Sequence, residues 1–185
     1  GVVAMLVVSN IHYSFWKKLA VPFFFATVLM LVAVLIPGIS LKALGARRWI
    51  SIGPINFQPS EVIKLSLALY LAKVSESANK KPLAYFIPLA IVCGLIMLQP
   101  DLGTTLVVGL IGVAQIFVSG VPIIYFLGSL FAGIVAVAVL ILVSPYRRDR
   151  LMTFLQVSSD PLGKEYHIRQ ILLSLGSGGL FGLGI

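Results

Sequence analysis

This sequence is short of charge, and shorter still of acid. Of 185 residues only 11% are charged, six Asp or Glu against 14 Lys or Arg, while 59% are hydrophobic and the mean hydropathy is +1.05. So few charges exclude an ordinary soluble domain, in which about a quarter of residues are charged. No nucleic-acid partner is expected. Cysteine is almost absent: Cys93 stands alone in an apolar run, which excludes an internal disulfide and offers a metal no partner ligands, and it reads as a small packing residue. An initiating Met and a signal-peptide cleavage pattern are also missing. Because the sequence starts in one apolar run and stops in a glycine-rich one, the expectation is a piece of a longer polytopic protein, truncated at both ends.

What is present is a series of apolar segments. Crossing a hydrocarbon core of about 30 Å takes roughly 20 apolar residues in a helix. Residues 19–36, 83–98, 102–118 and 121–143 meet or approach that length, and 1–11 reads as part of another span. Residues 59–74 form a sixth candidate, rich in leucine but interrupted by Glu61, Lys64 and Ser66; such a helix can span only with its polar face toward protein or water. The expected fold class is therefore all-α, a transmembrane helix bundle forming one integral-membrane domain over residues 1–185.

The connections differ by side. Residues 12–18, 73–82 and 119–122 are short; residues 37–58, the Pro100-Asp101 junction and everything from Ser144 onward lie on the other side. Lysines and arginines number five on the first side (Lys17, Lys18, Lys73, Lys80, Lys81) and eight on the second (Lys42, Arg47, Arg48, Arg147, Arg148, Arg150, Lys164, Arg169). By itself this excess puts the longer loops in the cytoplasm under the positive-inside rule. If those loops lie outside, their cationic excess needs an anionic partner.

Polar residues beside the apolar segments carry the chemistry, because an ionisable group within a membrane is costly unless paired or hydrated. In Gln58-Pro59-Ser60-Glu61, Pro59 suits the first turn of a helix and Glu61 suits the positive end of its dipole. Lys64 shares a helix face with Glu61, so the two can form a structural ion pair or line a charged cavity. In Gln99-Pro100-Asp101-Leu102-Gly103-Thr104, Pro100 stops one helix and Asp101 is placed to cap the next. Asp101 could equally face a cavity as a metal ligand, a proton acceptor or a partner of Lys64.

Tyr146-Arg147-Arg148-Asp149-Arg150 sets a basic cluster at a membrane surface, where arginines can anchor a helix end or grip a pyrophosphate bidentately. Arg47-Arg48-Trp49 repeats the theme, with Trp49 suited to the interface. Residues 165–175 place Ile168, Ile171, Leu172 and Leu175 at helical spacing, predicting an amphipathic surface helix ended by Gly176-Ser177-Gly178-Gly179. His167, within it, reads as an interfacial polar residue.

In this order the motifs resemble the SEDS family (shape, elongation, division and sporulation), the FtsW, RodA and SpoVE-like proteins of bacterial cell-wall synthesis. The resemblance runs from Gly45-Ala46-Arg47-Arg48-Trp49-Ile50 through Phe57-Gln58-Pro59-Ser60-Glu61, Lys64 and Gln99-Pro100-Asp101-Leu102-Gly103-Thr104. It continues to Tyr146-Arg147, Arg150, Asp160-Pro161-Leu162-Gly163, Tyr166, Gln170 and Gly176-Ser177-Gly178-Gly179. Departures fall at Gln156-Val157, Lys164-Glu165, Ile171 and Asn56. Ser144-Pro145-Tyr146-Arg147 and Gly179-Leu180-Phe181-Gly182 lean toward division-type members.

The resemblance implies a peptidoglycan glycosyltransferase of the bacterial cytoplasmic membrane. Its substrate is lipid II, and its partners are a class B penicillin-binding protein and other membrane proteins of the division or elongation machinery. It makes the chain the second to seventh helices and half of a large extracellular loop, and sets the basic loops outside, overruling the positive-inside count. Glu61, Lys64 and Asp101 would line a central cavity, with Gln58, Gln99, Arg48, Arg147, Arg148 and Arg150 as further substrate-binding residues. Asp101 is the one catalytic candidate in the chain, the family's proposed general base being an Asp farther downstream. No protein metal site is expected, a divalent cation (Mg or Mn) being the one cofactor that fits the chemistry. A lipid II flippase and a non-catalytic membrane scaffold are the competing functions.

Overall fold

The computed structural model describes residues 1–37, 40–43, 46–52, 55–76, 81–155, 166–179 and 182. Outside them lie the motif departures at Gln156-Val157 and Lys164-Glu165, the Asp160-Pro161-Leu162-Gly163 motif and Lys80. The side chains of Arg47, Arg150, His167 and Arg169 also lie outside the description. The fold is an all-α bundle with one small sheet. Its helices are α1 (Val2–Ser9), α2 (Tyr13–Leu35), α3 (Pro59–Ser75), α4 (Leu83–Leu98), α5 (Leu102–Val118), α6 (Ile123–Val143), α7 (Pro145–Leu155) and α8 (Tyr166–Gly178). Between α2 and α3 run the strands β1 (Ser40–Ala43), β2 (Ala46–Ile52) and β3 (Ile55–Phe57). Two helices, α2 and α6, are long and apolar enough to cross a membrane, and α4 and α5 are shorter apolar helices.

The chain forms two compact units, Gly1–Leu130 and Phe131–Ile185. The first has a core built from four helices. Phe24, Thr27, Leu31 and Val34 of α2 are buried, as are Ile63, Leu67 and Leu71 of α3, Tyr85, Leu89, Val92 and Ile96 of α4, and Val108 and Ile116 of α5. These positions step by three, four or eight, so each helix offers one stripe to its neighbours. Phe24 stacks on Tyr70 at a centroid distance of 4.3 Å, tying α2 to α3.

Polar pegs interrupt this greasy packing. Thr27 Oγ1 and Ser66 Oγ lie 2.6 Å apart in a buried hydrogen bond between α2 and α3. Gly112 of α5 packs directly beneath Leu89 of α4: a methyl group added at Gly112 would lie 2.5 Å from Leu89 Cδ1. At one end of the bundle Lys17 pairs with Glu76 at 2.7 Å, both side chains about half exposed.

Local chemistry explains the element ends. α2 begins at Tyr13, six residues before the apolar segment, because the extended residue His12 caps it: its Nδ1 accepts from the Ser14 N–H at 3.3 Å. α3 starts at Pro59, which lacks the N–H that a first-turn residue would leave unbonded. The turn between α5 and α6 uses Gly120 at φ +73°, a left-handed backbone that glycine adopts without a Cβ penalty.

Two elements differ from the sequence expectation. Residues 37–58, read as a loop, contain the antiparallel sheet β1-β2-β3, with Ser40 opposite Ile50 and Ile50 opposite Phe57. Pairing satisfies backbone groups that an irregular segment beside a membrane would leave open. In the second unit, the basic cluster after Ser144 is helix α7: the Arg147 and Arg148 N–H groups donate to the Ser144 carbonyl at 3.1 and 3.0 Å. α8 extends past Gly176 to Gly178, and Gly179 turns the chain at φ +53°.

Candidate functional site at the α4–α5 corner

The Gln99-Pro100-Asp101 junction brings three sequence-predicted site residues together in the first unit: Gln99, Asp101 and Arg48. Pro100 cannot continue α4, so the chain breaks there and Asp101 opens α5 as its N-cap. Asp101 Oδ1 accepts from the Thr104 N–H at 3.0 Å, and Oδ2 accepts from the Thr104 hydroxyl at 3.0 Å. Asp101 is thus the cap of α5, and its carboxylate is mostly buried.

Arg48 reaches this corner from β2. Its Nε donates to the Gln99 carbonyl at 3.0 Å and its Nη2 to the Pro100 carbonyl at 2.5 Å, while Nη1 stands 3.9 Å from Asp101 Oδ2. The guanidinium is about one-third exposed and the Asp101 side chain 15%. Arg48 is expected from the sequence as a substrate-binding residue; its partnership with the corner is not legible there, because 51 residues separate Arg48 from Gln99 and no local pattern signals the contact.

Gln99 lies beneath the corner, only 1% exposed; its Nε2 donates to the Leu31 carbonyl of α2 at 3.4 Å, and its Oε1 has no partner among the described residues. The Ser60 hydroxyl is likewise buried without a described partner. A buried amide or hydroxyl oxygen left unbonded costs about 1–3 kcal/mol. Gln58 is half-buried and precedes α3 in extended backbone, and its side chain makes no capping hydrogen bond.

Glu61 and Lys64 form the pair their spacing predicts, Nζ to Oε2 at 2.7 Å, with Glu61 more than half exposed. Among the described residues no ion pair joins Lys64 to Asp101; Glu61 is bound to Lys64, and Asp101 to Arg48 and Thr104.

In the second unit Arg147 Nη1 donates to the Leu140 carbonyl of α6 at 3.1 Å. The arginine therefore satisfies a carbonyl near the negative end of that helix, and Arg148 is exposed. No group of three or more His, Cys, Asp or Glu side chains that could hold a metal occurs among the described residues. The donor set there does not form a cation cage.

Comparison with known proteins gives this arrangement a family. The FtsW/RodA/SpoVE model, described as cell cycle protein, matches residues 1–185. A Trichlorobacter lovleyi protein named probable peptidoglycan glycosyltransferase FtsW is 37% identical, the match covering all of this chain and 50% of the relative. The stage V sporulation protein E of Bacillus subtilis is 38% identical, over all of this chain and 52% of its own length. Among solved structures, a chain from work on structural coordination of polymerization and crosslinking by a peptidoglycan synthase complex matches with a TM-score of 0.70. Its identity is 34%, over 95% of this chain and 53% of that one. The crystal structure of the rod shape determining protein RodA of Thermus thermophilus matches with a TM-score of 0.61 and 36% identity, over 71% of this chain and 45% of that one. The chain spans about half the length of the curated relatives it matches. A match along its whole length and relatives above 30% identity lead to one conclusion: the chain belongs to the FtsW/RodA/SpoVE family of cell cycle proteins.

Proposed function

We propose that the protein carrying this chain is a peptidoglycan glycosyltransferase of the bacterial cytoplasmic membrane that polymerises lipid II. In this reading the acceptor sugar's 4-hydroxyl attacks the donor's anomeric carbon, and undecaprenyl pyrophosphate leaves. The observation that carries the proposal is the polar corner at Gln99-Pro100-Asp101: a carboxylate, a guanidinium and a buried amide gathered at the end of an apolar bundle, within a family whose relatives carry the glycosyltransferase name.

Glu61, Lys64 and Asp101 are the proposed polar lining beside the acceptor and donor sugars. Arg148 and Arg150 are the proposed contacts to the pyrophosphate, whose charge rewards guanidinium forks more than isolated ammonium groups. A divalent cation, Mg or Mn, would enter as the counter-ion of the pyrophosphate. The proposed partner is a class B penicillin-binding protein, in keeping with the polymerization and crosslinking described for the synthase complex that this chain resembles.

The test uses purified full-length protein, lipid II and a class B penicillin-binding protein. Glycan strands should form, and Asp101→Asn should reduce them while leaving membrane insertion intact; normal polymerisation by that variant would leave Asp101 only its capping role. The 185-residue chain alone should make no strands. The family's proposed base is an Asp farther downstream, and a positioned base contributes about 10²- to 10⁴-fold. Transbilayer movement of lipid II by the full-length protein without strand synthesis would favour a flippase, and neither activity would leave a scaffold.

A further inference from the structure

Arg48 is better placed to hold the protein's own main chain than to wait for a substrate. Helix α4 ends in an unusual debt of donors: Pro100 has no N–H, and no backbone N–H among the described residues is directed at the Gln99 or Pro100 carbonyl. These two carbonyls belong to the turn that follows α4, which ends at Leu98, and a main-chain carbonyl shielded from water needs a partner. Both carbonyls are met by one guanidinium from β2, at 3.0 and 2.5 Å. The third contact, to Asp101 Oδ2 at 3.9 Å, is an ion pair without hydrogen-bond geometry.

We infer that Arg48 is a positioning residue: it holds the main chain of the turn between α4 and α5 from the neighbouring sheet, pins that sheet to the corner, and so fixes the direction in which Asp101 presents its carboxylate. Two of its three contacts are to the main chain, so the link does not depend on the side chain at position 101. Asparagine is as good an N-cap as aspartate, and Asp101→Asn keeps the corner. Lysine has one compact ammonium in place of a planar fork and cannot span both carbonyls at once.

Hydrogen–deuterium exchange of the full-length protein in lipid nanodiscs tests this, read on the peptide covering residues 96–106 with the α3 core around Ile63–Leu71 as internal control. Arg48→Met should speed exchange at the corner at least ten-fold with the α3 core unchanged, Arg48→Lys should give a smaller rise at the same place, and Asp101→Asn should stay within two-fold of wild type. Should Arg48→Met fail to fold, Arg48→Lys decides, since it keeps the charge and one bond. Wild-type corner exchange in both folded variants, or loosening by Asp101→Asn equal to that of Arg48→Met, overturns the inference.

A second readout rests on the proposed glycosyltransferase activity. Arg48→Lys should lower kcat with KM for lipid II within two-fold of wild type, whereas a raised KM with unchanged kcat would make Arg48 a head-group ligand and overturn the positioning role. The exchange measurement needs no activity, so failure of the inference and failure of the proposed function are separable.

Discussion

Replacing Gly112 by alanine should destabilise the bundle, although alanine is the better helix former by about 1 kcal/mol. The added Cβ would sit 2.5 and 2.6 Å from the two Leu89 methyl carbons and 3.0 Å from Leu89 Cγ. Ordinary carbon contacts lie at about 3.5–4.0 Å, so each methyl must retreat by roughly 1 Å. Turning the methyls about the Cβ–Cγ bond leaves Cγ itself too close, and Leu89 is 9% exposed within the core cluster, with little room to take another rotamer. Overpacking of this kind costs about 1–3 kcal/mol, which offsets the propensity gain and leaves a net loss of up to about 2 kcal/mol. Leu89→Ala alone opens a cavity and should cost about 2–5 kcal/mol. In the double variant the new methyl enters that cavity, so the two losses should fall short of additivity by about 1–2 kcal/mol. Reversible unfolding of the full-length protein in detergent micelles measures all four species. Higher stability in Gly112→Ala than in wild type, or strict additivity in the double variant, would refute the close approach of α4 and α5 on which the reasoning rests.

With Cys93 first replaced, cysteines at Ser51 and Ser158 should both react with an impermeant thiol reagent in intact cells, since the proposed topology puts both loops outside; protection of either breaks it. Charge-removing changes at Arg148 and Arg150 should weaken lipid II binding, and wild-type affinity should fall with salt; binding indifferent to salt would leave these arginines as membrane anchors. Thr27→Val should cost about 0.6 kcal/mol and at most about 1.7, the average and the upper value for hydrogen bonds between membrane helices, by removing the 2.6 Å contact to Ser66 and leaving that hydroxyl only its 3.3 Å bond to the Ile63 carbonyl. Adding Ser66→Ala should recover part of that loss, and a fully additive second loss would show the bond to be energetically idle.

Much of this architecture is written locally. Pro59 and Asp101 begin helices because a missing N–H and a capping carboxylate act within four residues of themselves, and both are plain in the sequence. Glu61 and Lys64 pair because three residues along a helix face is a contact distance. The sheet also had a local signature, Ile50-Ser51-Ile52 and Ile55-Asn56-Phe57 alternating about Gly53-Pro54, obscured by a reading tuned to long apolar runs. Helix α7 was signalled by Ser144-Pro145 ahead of a polar helix-forming stretch, which reads as a surface cluster when hydropathy is the only guide. The buried stripes were illegible for a different reason: where a helix is apolar on every side, hydropathy cannot say which side meets protein. Arg48 on the Gln99 and Pro100 carbonyls, and Thr27 on Ser66, join positions 39 to 52 residues apart. Such meetings exist only once the chain has folded.

Two long-range polar contacts fall on a single turn of α2. Ser66 of α3 bonds to Thr27, and Gln99 of α4 bonds to the carbonyl of Leu31, four residues on. Apart from the half-exposed Lys17–Glu76 pair near its start, the rest of α2 packs through hydrocarbon, which tolerates a slip of one helical turn, about 5.4 Å, at modest cost. At this turn a slip would strand two buried polar partners at once. The helix is in effect threaded through a bearing: it can tilt about the Thr27–Leu31 turn, but it cannot slide along its own axis past its neighbours.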